Sequence, residues 1–204
     1  MKNIKDEYKK YIDVFIISHI ILIYIILFGL NFNEIKNIFK DEFYKGTIIL
    51  ILPILSVVLN GVLPNSIKEF LVFWRFKNRL PGYMAFSKYA KNDARIDLNI
   101  LKEKHPELKN ENLDENKIWY KIYKKYVEYP NVWDSQKNYL FTRDIIGLIF
   151  LFFVLVVIVD FIIDSKNITI LYALLIIEYF IIKIASYNYA VKFVINVLAE
   201  DSVK

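Results

Sequence analysis

The sequence predicts an all-α integral membrane protein, with four transmembrane helices and an all-helical cytoplasmic insert between the second and third. Three observations carry that expectation. Residues 14–30, 47–63, 145–163 and 169–186 are apolar runs of 17 to 19 residues. At about 1.5 Å rise per residue they approach the ~30 Å hydrocarbon core of a bilayer. The stretch 64–144 between the second and third runs is charged and aromatic, with apolar positions at helical spacing in its later part. Apolar residues make up 56% of the chain and the mean hydropathy is +0.32, more than an ordinary soluble domain carries.

The elements follow in chain order. The first run comes after MKNIKDEYKK and no small-residue cleavage site follows it, so it reads as a retained span rather than a removable signal. The second run contains Pro53, Asn60 and Gly61, which mark it as the span that kinks or packs closely. Pro64-Asn65-Ser66 ends that run, and Ser66 with Glu69 has capping-box spacing. A juxtamembrane helix is expected over 67–80, where Phe70, Phe73, Trp74 and Phe76 mix with Lys68, Arg75, Lys77 and Arg79. Pro81-Gly82 should stop it.

Residues 83–91 read as helical. Residues 94–104 fit a helix or a strand, and helix is preferred because a lone strand has nothing to pair with. A polar connection runs from His105-Pro106 through Asn116. Trp119, Ile122, Tyr123, Tyr126 and Val127 then form one face of an amphipathic helix ending at Tyr129-Pro130. Asn131 can cap a last helix running straight into the third span, and residues 187–200 extend the fourth. The organisation expected is a tail with two spans over 1–63, the insert over 64–144, and two spans with a helical extension over 145–204.

Lysine and arginine set the orientation. Lys2, Lys5, Lys9 and Lys10 crowd the N-terminal tail, and sixteen basic residues lie in 64–144. The connection 31–46 balances Lys36, Lys40 and Lys45 with Glu34, Asp41 and Glu42, and 164–168 holds Lys166 alone. The positive-inside rule then places both termini and the insert in the cytoplasm.

Few residues suggest an enzyme. The chain has no cysteine and only two histidines, His19 and His105, neither in a metal-binding spacing. Nine residues separate Arg95 from His105, too many for the Arg-to-His motif of HEPN ribonucleases. Nucleophile elbow, P-loop and dinucleotide fingerprint are all missing. Asp93 and Asp97, four apart, read as solvated charge. No catalytic set, metal or cofactor is expected.

Polar residues within the apolar runs are more telling. His19 lies eleven residues from the outer end of the first run and Glu178 about nine from that of the fourth. At similar depth they can meet, either as a hydrogen bond between helices or as part of an aqueous path. Asn60 joins them as an intramembrane polar candidate. Asp160 and Lys183 lie nearer span ends, where such side chains snorkel. Among 23 lysines stand only four arginines, Arg75, Arg79, Arg95 and Arg143, all within 64–144. They are candidates for planar, bidentate recognition of phosphate or carboxylate. The plainer reading is lipid headgroups for Arg75 and Arg79, a salt bridge for Arg95 and local pairing of Arg143 with Asp144. Lys121, Lys124 and Lys125 alternate with Tyr120, Tyr123 and Tyr126, a basic aromatic pattern suited to a nucleotide or single-stranded nucleic acid, or to an ordinary buried face with solvated lysines.

The blocks RLPGYMAFSKYAKNDARID (79–97), KIWYKIYKKY (117–126), YLFTRD (139–144) and NYAVKFVINVLAE (188–200) resemble small bacterial four-span membrane effectors of antiphage defence, of the Hailong channel type. The resemblance is one of architecture and carries over no individual residue. It implies a homo-oligomeric ion channel or pore that collapses the membrane potential when triggered, with a nucleotide or oligonucleotide as the ligand. The alternative from the residues alone is a non-conducting membrane anchor that recruits a soluble cytoplasmic partner protein.

Overall fold

The computed structural model describes residues 3–29, 58–59, 61–109, 114–162 and 167–203, and their regular structure is helical throughout. Three of these helices are long and apolar enough to cross a membrane: α1 (Lys9–Phe28), α5 (Pro130–Asp160) and α6 (Ile168–Val203). That corrects the expected count of four. The second run, 47–63, falls almost wholly outside the described residues, of which 58–59 and 61–62 are helical. The expectation rested on the length and oiliness of that run alone. Between α1 and α5 the described residues include the shorter helices α2 (Asn65–Phe73), α3 (Leu98–Lys104) and α4 (Glu115–Tyr126).

Two compact units divide the chain. The first comprises the described parts of 1–68 and 141–183, the second those of 69–140 and 184–204. In the first unit Ile12, Ile16, His19 and Ile23 of α1 are buried at three- and four-residue steps. They share a core with Ile145, Ile146, Leu148, Ile149, Phe152 and Val156 of α5 and Leu171 and Leu175 of α6. In its most apolar stretch α5 is 56% buried, against 17% for α1 and 11% for α6; α5 is thus the central helix, with the other two presenting apolar surface outward. Gly29 closes α1 at φ 61°, its N–H donating to the Ile25 carbonyl, a left-handed cap that suits glycine. Asn167 Nδ2 donates to the Ile26 carbonyl at 3.1 Å, satisfying one of the helix's last free acceptors.

In the second unit α2 ends at Phe73, seven residues short of the expected 80. Trp74 turns to φ 51° and its N–H reaches the Phe70 carbonyl at 2.7 Å, so the chain leaves the helix before Pro81 can stop it. Residues 81–92 instead form consecutive 3-10 and π turns. Glu115 Oε2, in the first turn of α4, accepts from the backbone N–H of Phe86 (2.8 Å) and Ser87 (3.1 Å). Gly82 is needed there: a Cβ would stand 2.5 Å from Asn116 Oδ1 and 2.7 Å from Trp119 Cε3. Asp97 caps α3 by accepting from the N–H groups of Asn99 and Ile100, so the helix expected over 94–104 begins only at Leu98.

The amphipathic α4 presents the face its spacing predicts but ends at Tyr126, short of the expected Tyr129. It buries Ile118, Trp119, Ile122 and Tyr126, with Trp119 edge-on to Phe193 of α6 at 5.1 Å. Pro130 rather than Asn131 opens α5, whose fixed φ suits a first helical position. From there α5 runs unbroken to Asp160, as expected, and α6 continues to Val203.

Candidate functional site

Within the apolar part of the first unit, His19 and Glu178 meet as their depths suggested. Nε2 of His19 lies 2.9 Å and 3.1 Å from the two carboxyl oxygens of Glu178. The other ring nitrogen, Nδ1, lies 2.8 Å from the Phe15 carbonyl. A carbonyl only accepts, so Nδ1 carries hydrogen. A neutral imidazole would then present a bare Nε2 to the carboxyl group. Two acceptors do not approach to 2.9 Å without a proton between them, so the pair holds one, either as imidazolium with carboxylate or as imidazole with carboxylic acid. Both forms are neutral overall, which is what a low-dielectric setting favours. The ring also stacks on Phe152, 5.3 Å between centroids.

At the other polar node of this unit, Asp144 is fully buried. It accepts from Tyr8 Oη (3.1 Å), Lys68 Nζ (3.1 Å) and, at the longer distance of 3.4 Å, Arg143 Nη2. Lys68 and Arg143 are themselves only 3% and 5% exposed. Burial pushes the Lys68 ammonium below its ordinary pKa, against the pull of Asp144, and burial with the Asp144 charge pushes the Tyr8 hydroxyl up. The local pairing of Arg143 with Asp144 was anticipated. The convergence of Tyr8 and Lys68 was not, since Lys68 had been assigned to the lipid interface. Its one sequence signal was an acid abutting the third apolar run, with Gly147 a turn later.

The second unit holds a cavity of about 450 Å³ whose lining includes Lys88, Tyr89, Asn92, Arg95, Tyr187 and Lys192. Arg95 also lines a second, open hollow of about 850 Å³ beside residues 90–98. Its guanidinium is clamped by Asp93, with Nε to Oδ1 and Nη2 to Oδ2 both at 2.9 Å, while Nη1 reaches Asn196 Oδ1 at 3.4 Å. The clamp holds the Asp93 carboxyl below the usual carboxylate range. Arg95 thus makes the salt bridge of the plainer reading and still lines a cavity.

The remaining candidates are placed separately. Arg75 Nη2 lies 3.1 Å from Met84 Sδ, with its guanidinium 5.5 Å from the Phe73 ring centre. Arg79 Nε donates to the Phe76 carbonyl, over the Phe70 ring. Neither lines the Arg95 cavity. Lys121 pairs with Glu107 at 3.4 Å, Lys124 lies 4.9 Å over the Tyr120 ring, and Lys125 is exposed. Tyr126 is buried and Tyr123 half-buried, so Tyr120 is the exposed ring of that basic pattern. Asn60 lies outside the described residues.

Sequence reasoning missed one further node, at the end of α6. Asp201, 3% exposed, accepts from His105 Nε2 at 2.7 Å and Tyr126 Oη at 3.1 Å, and Lys104 Nζ donates to its carbonyl at 2.6 Å. Among the described residues no cluster of three His, Asp or Glu side chains could hold a metal ion. No known protein family matches the chain, and neither a curated protein nor a solved structure matches it.

Proposed function

We propose that this multi-span, all-helical membrane protein is a non-enzymatic, oligomeric channel gated from the cytoplasm, working as an effector in bacterial antiphage defence. Glu178 carries the reading. It sits in the apolar part of α6 and keeps 30% of its side chain exposed despite pairing with His19, on a helix whose most apolar stretch is only 11% buried by its own chain. An acid at a helix centre costs about 2.5–3.5 kcal/mol on insertion scales. A polar surface at that depth favours water or a neighbouring copy over lipid. Three spanning helices enclose too little space for a conduction path, so the pore forms between copies in a ring.

The cytoplasmic trigger, a nucleotide, an oligonucleotide or a partner protein, acts on the unit containing Arg95. Since α6 carries both Glu178 and Asp201, a ligand that shifts the end of α6 biases closed against open states. Orientation has its own support. Tyr8 and Lys68 both meet Asp144, whereas Ile26 meets Asn167. Tyr8, Lys68 and Asp144 therefore mark one end of the first unit, and the lysine-rich tail beside Tyr8 lets the positive-inside rule assign that end to the cytoplasm. A reporter at residue 3 should read cytoplasm.

The other reading is a non-conducting anchor for a soluble partner, favoured by the full occupancy of both His19 ring nitrogens. Controlled expression with a membrane-potential dye separates the two. Depolarisation that Glu178→Gln alters supports the channel; a polarised membrane with a co-purifying soluble protein supports the anchor.

A further inference from the structure

The 450 Å³ cavity of the second unit has a chemical character of its own. Lys88, Arg95 and Lys192 line it with Asn92, Asn188 and two tyrosines, and none of its lining residues is acidic. Lys88 and Lys192 are exposed. Arg95 is already half-neutralised by Asp93, but that clamp fixes the plane of its fork, and a guanidinium has more N–H donors than Asp93 and Asn196 occupy. The result is a pre-positioned donor in a lining shared with two exposed lysines. That suits a phosphate better than a carboxylate alone, since three donors can close around it.

The floor differs from the rim. Tyr187, Val191 and Ile195 contribute apolar surface from α6, and they recur at four-residue steps on one helix face. Their position along α6 matters. The apolar run ends at Ser186, and Tyr187 follows directly. From Tyr187 to Lys192 the helix rises by about 7.5 Å, close to the roughly 5–7 Å by which the headgroup layer extends the hydrocarbon core on each side. Tyrosine at the core boundary, Val191 above it and lysine one headgroup farther out match an amphiphile standing in the leaflet.

We infer that this cavity is a phosphate site whose occupant is the headgroup of an anionic phospholipid from the adjoining leaflet, held by Lys88, Arg95 and Lys192. The site depends on the chain being in a membrane and not on its conducting ions, so it stands or falls apart from the channel reading. Lipid composition would then bear on α6, which supplies the cavity floor.

The test uses the full chain in neutral detergent, with lipid binding read by native mass spectrometry. Phosphatidylglycerol should bind more tightly than phosphatidylcholine. Lys88→Gln with Lys192→Gln should weaken phosphatidylglycerol roughly twenty-five-fold, about fivefold per lysine near an anionic headgroup, and leave phosphatidylcholine unchanged. Lys88→Arg with Lys192→Arg should retain binding, which separates loss of charge from loss of fold. Equal phosphatidylglycerol affinity in the wild type and the double glutamine variant overturns the site. A parallel titration with pyrophosphate distinguishes the source: lysine-dependent binding of pyrophosphate without lysine-dependent binding of phosphatidylglycerol overturns the leaflet as its supplier.

Discussion

Gly147 makes room for the stem of Lys68. A Cβ at position 147 would stand 3.2 Å from Lys68 Cγ and 3.3 Å from Cε. A gap in the apolar surface of α5 thereby lets a lysine from α2 lie along the helix and place its ammonium 3.1 Å from Asp144. The glycine is a packing requirement of the ion pair rather than a hinge.

Gly147→Val should therefore displace Lys68 from Asp144 and lower stability by about 1–3 kcal/mol. Gly147→Ala should be close to neutral. The tight approach of a single methyl is offset by up to ~1 kcal/mol of helix propensity. Unfolding of both variants in detergent checks this, and equal stability of Val and wild type would refute the packing role.

Asp144→Asn keeps the shape of the side chain and removes its charge, so that buried Lys68 and Arg143 lose the carboxylate they share. Breaking such a pair costs about 3–5 kcal/mol. Adding Lys68→Met should recover part of that loss, because a cation leaves together with its anion. Strict additivity in the double variant would show that the two residues do not depend on each other.

At the intramembrane pair, Glu178→Gln keeps a donor for Nε2 of neutral His19, so assembly should survive. Glu178→Ala or His19→Ala should cost about 0.6 and at most ~1.7 kcal/mol, as polar contacts between membrane helices do. Single-channel currents provide the second readout: altered conductance or ion preference in Glu178→Gln assigns the carboxyl to the path. Unchanged currents beside lost stability in the alanine variants would confine it to structure.

Alkaline pH should weaken the second unit. The Tyr89 hydroxyl is pushed up to about 12 by burial and then by Tyr187, and that of Tyr126 to about 12 by burial and then by Asp201. Between the ordinary tyrosine value near 10 and about 12, the unfolded chain releases phenolic protons that the folded chain keeps. Stability is thus fully present below pH ~10 and falls as pH rises through that window. Tyr126→Phe should flatten the fall, seen as a smaller loss of melting temperature between pH 10 and 12. A slope unchanged by the substitution would show that Tyr126 does not titrate as described.

Depth along a helix can be counted, and lateral position cannot. That difference explains what was readable in advance. The apolar runs behind α1, α5 and α6 were evident from length, and His19 and Glu178 could be matched because each residue contributes a fixed rise. The face of α4 followed from the spacing of Trp119, Ile122 and Tyr126. Tyr8, Lys68 and Asp144 lie up to 136 residues apart, and no periodicity links them. The early end of α2 depends on Trp74 adopting φ 51°, a conformation that nothing about a tryptophan announces. The 47–63 run lies almost wholly outside the described residues, so the span expected there from oiliness has no counterpart among them.

The last turn of α6 works as a checksum on the chain. A polypeptide stopped or trimmed at Glu200 would keep every residue of α1, α5 and the apolar run of α6, so the translocation machinery would have no reason to reject it. It would lack Asp201, the acceptor on which Lys104, His105 and Tyr126 converge. Keeping the apolar helices and completing this node are therefore separable properties of the chain, the second depending on the last turn of α6.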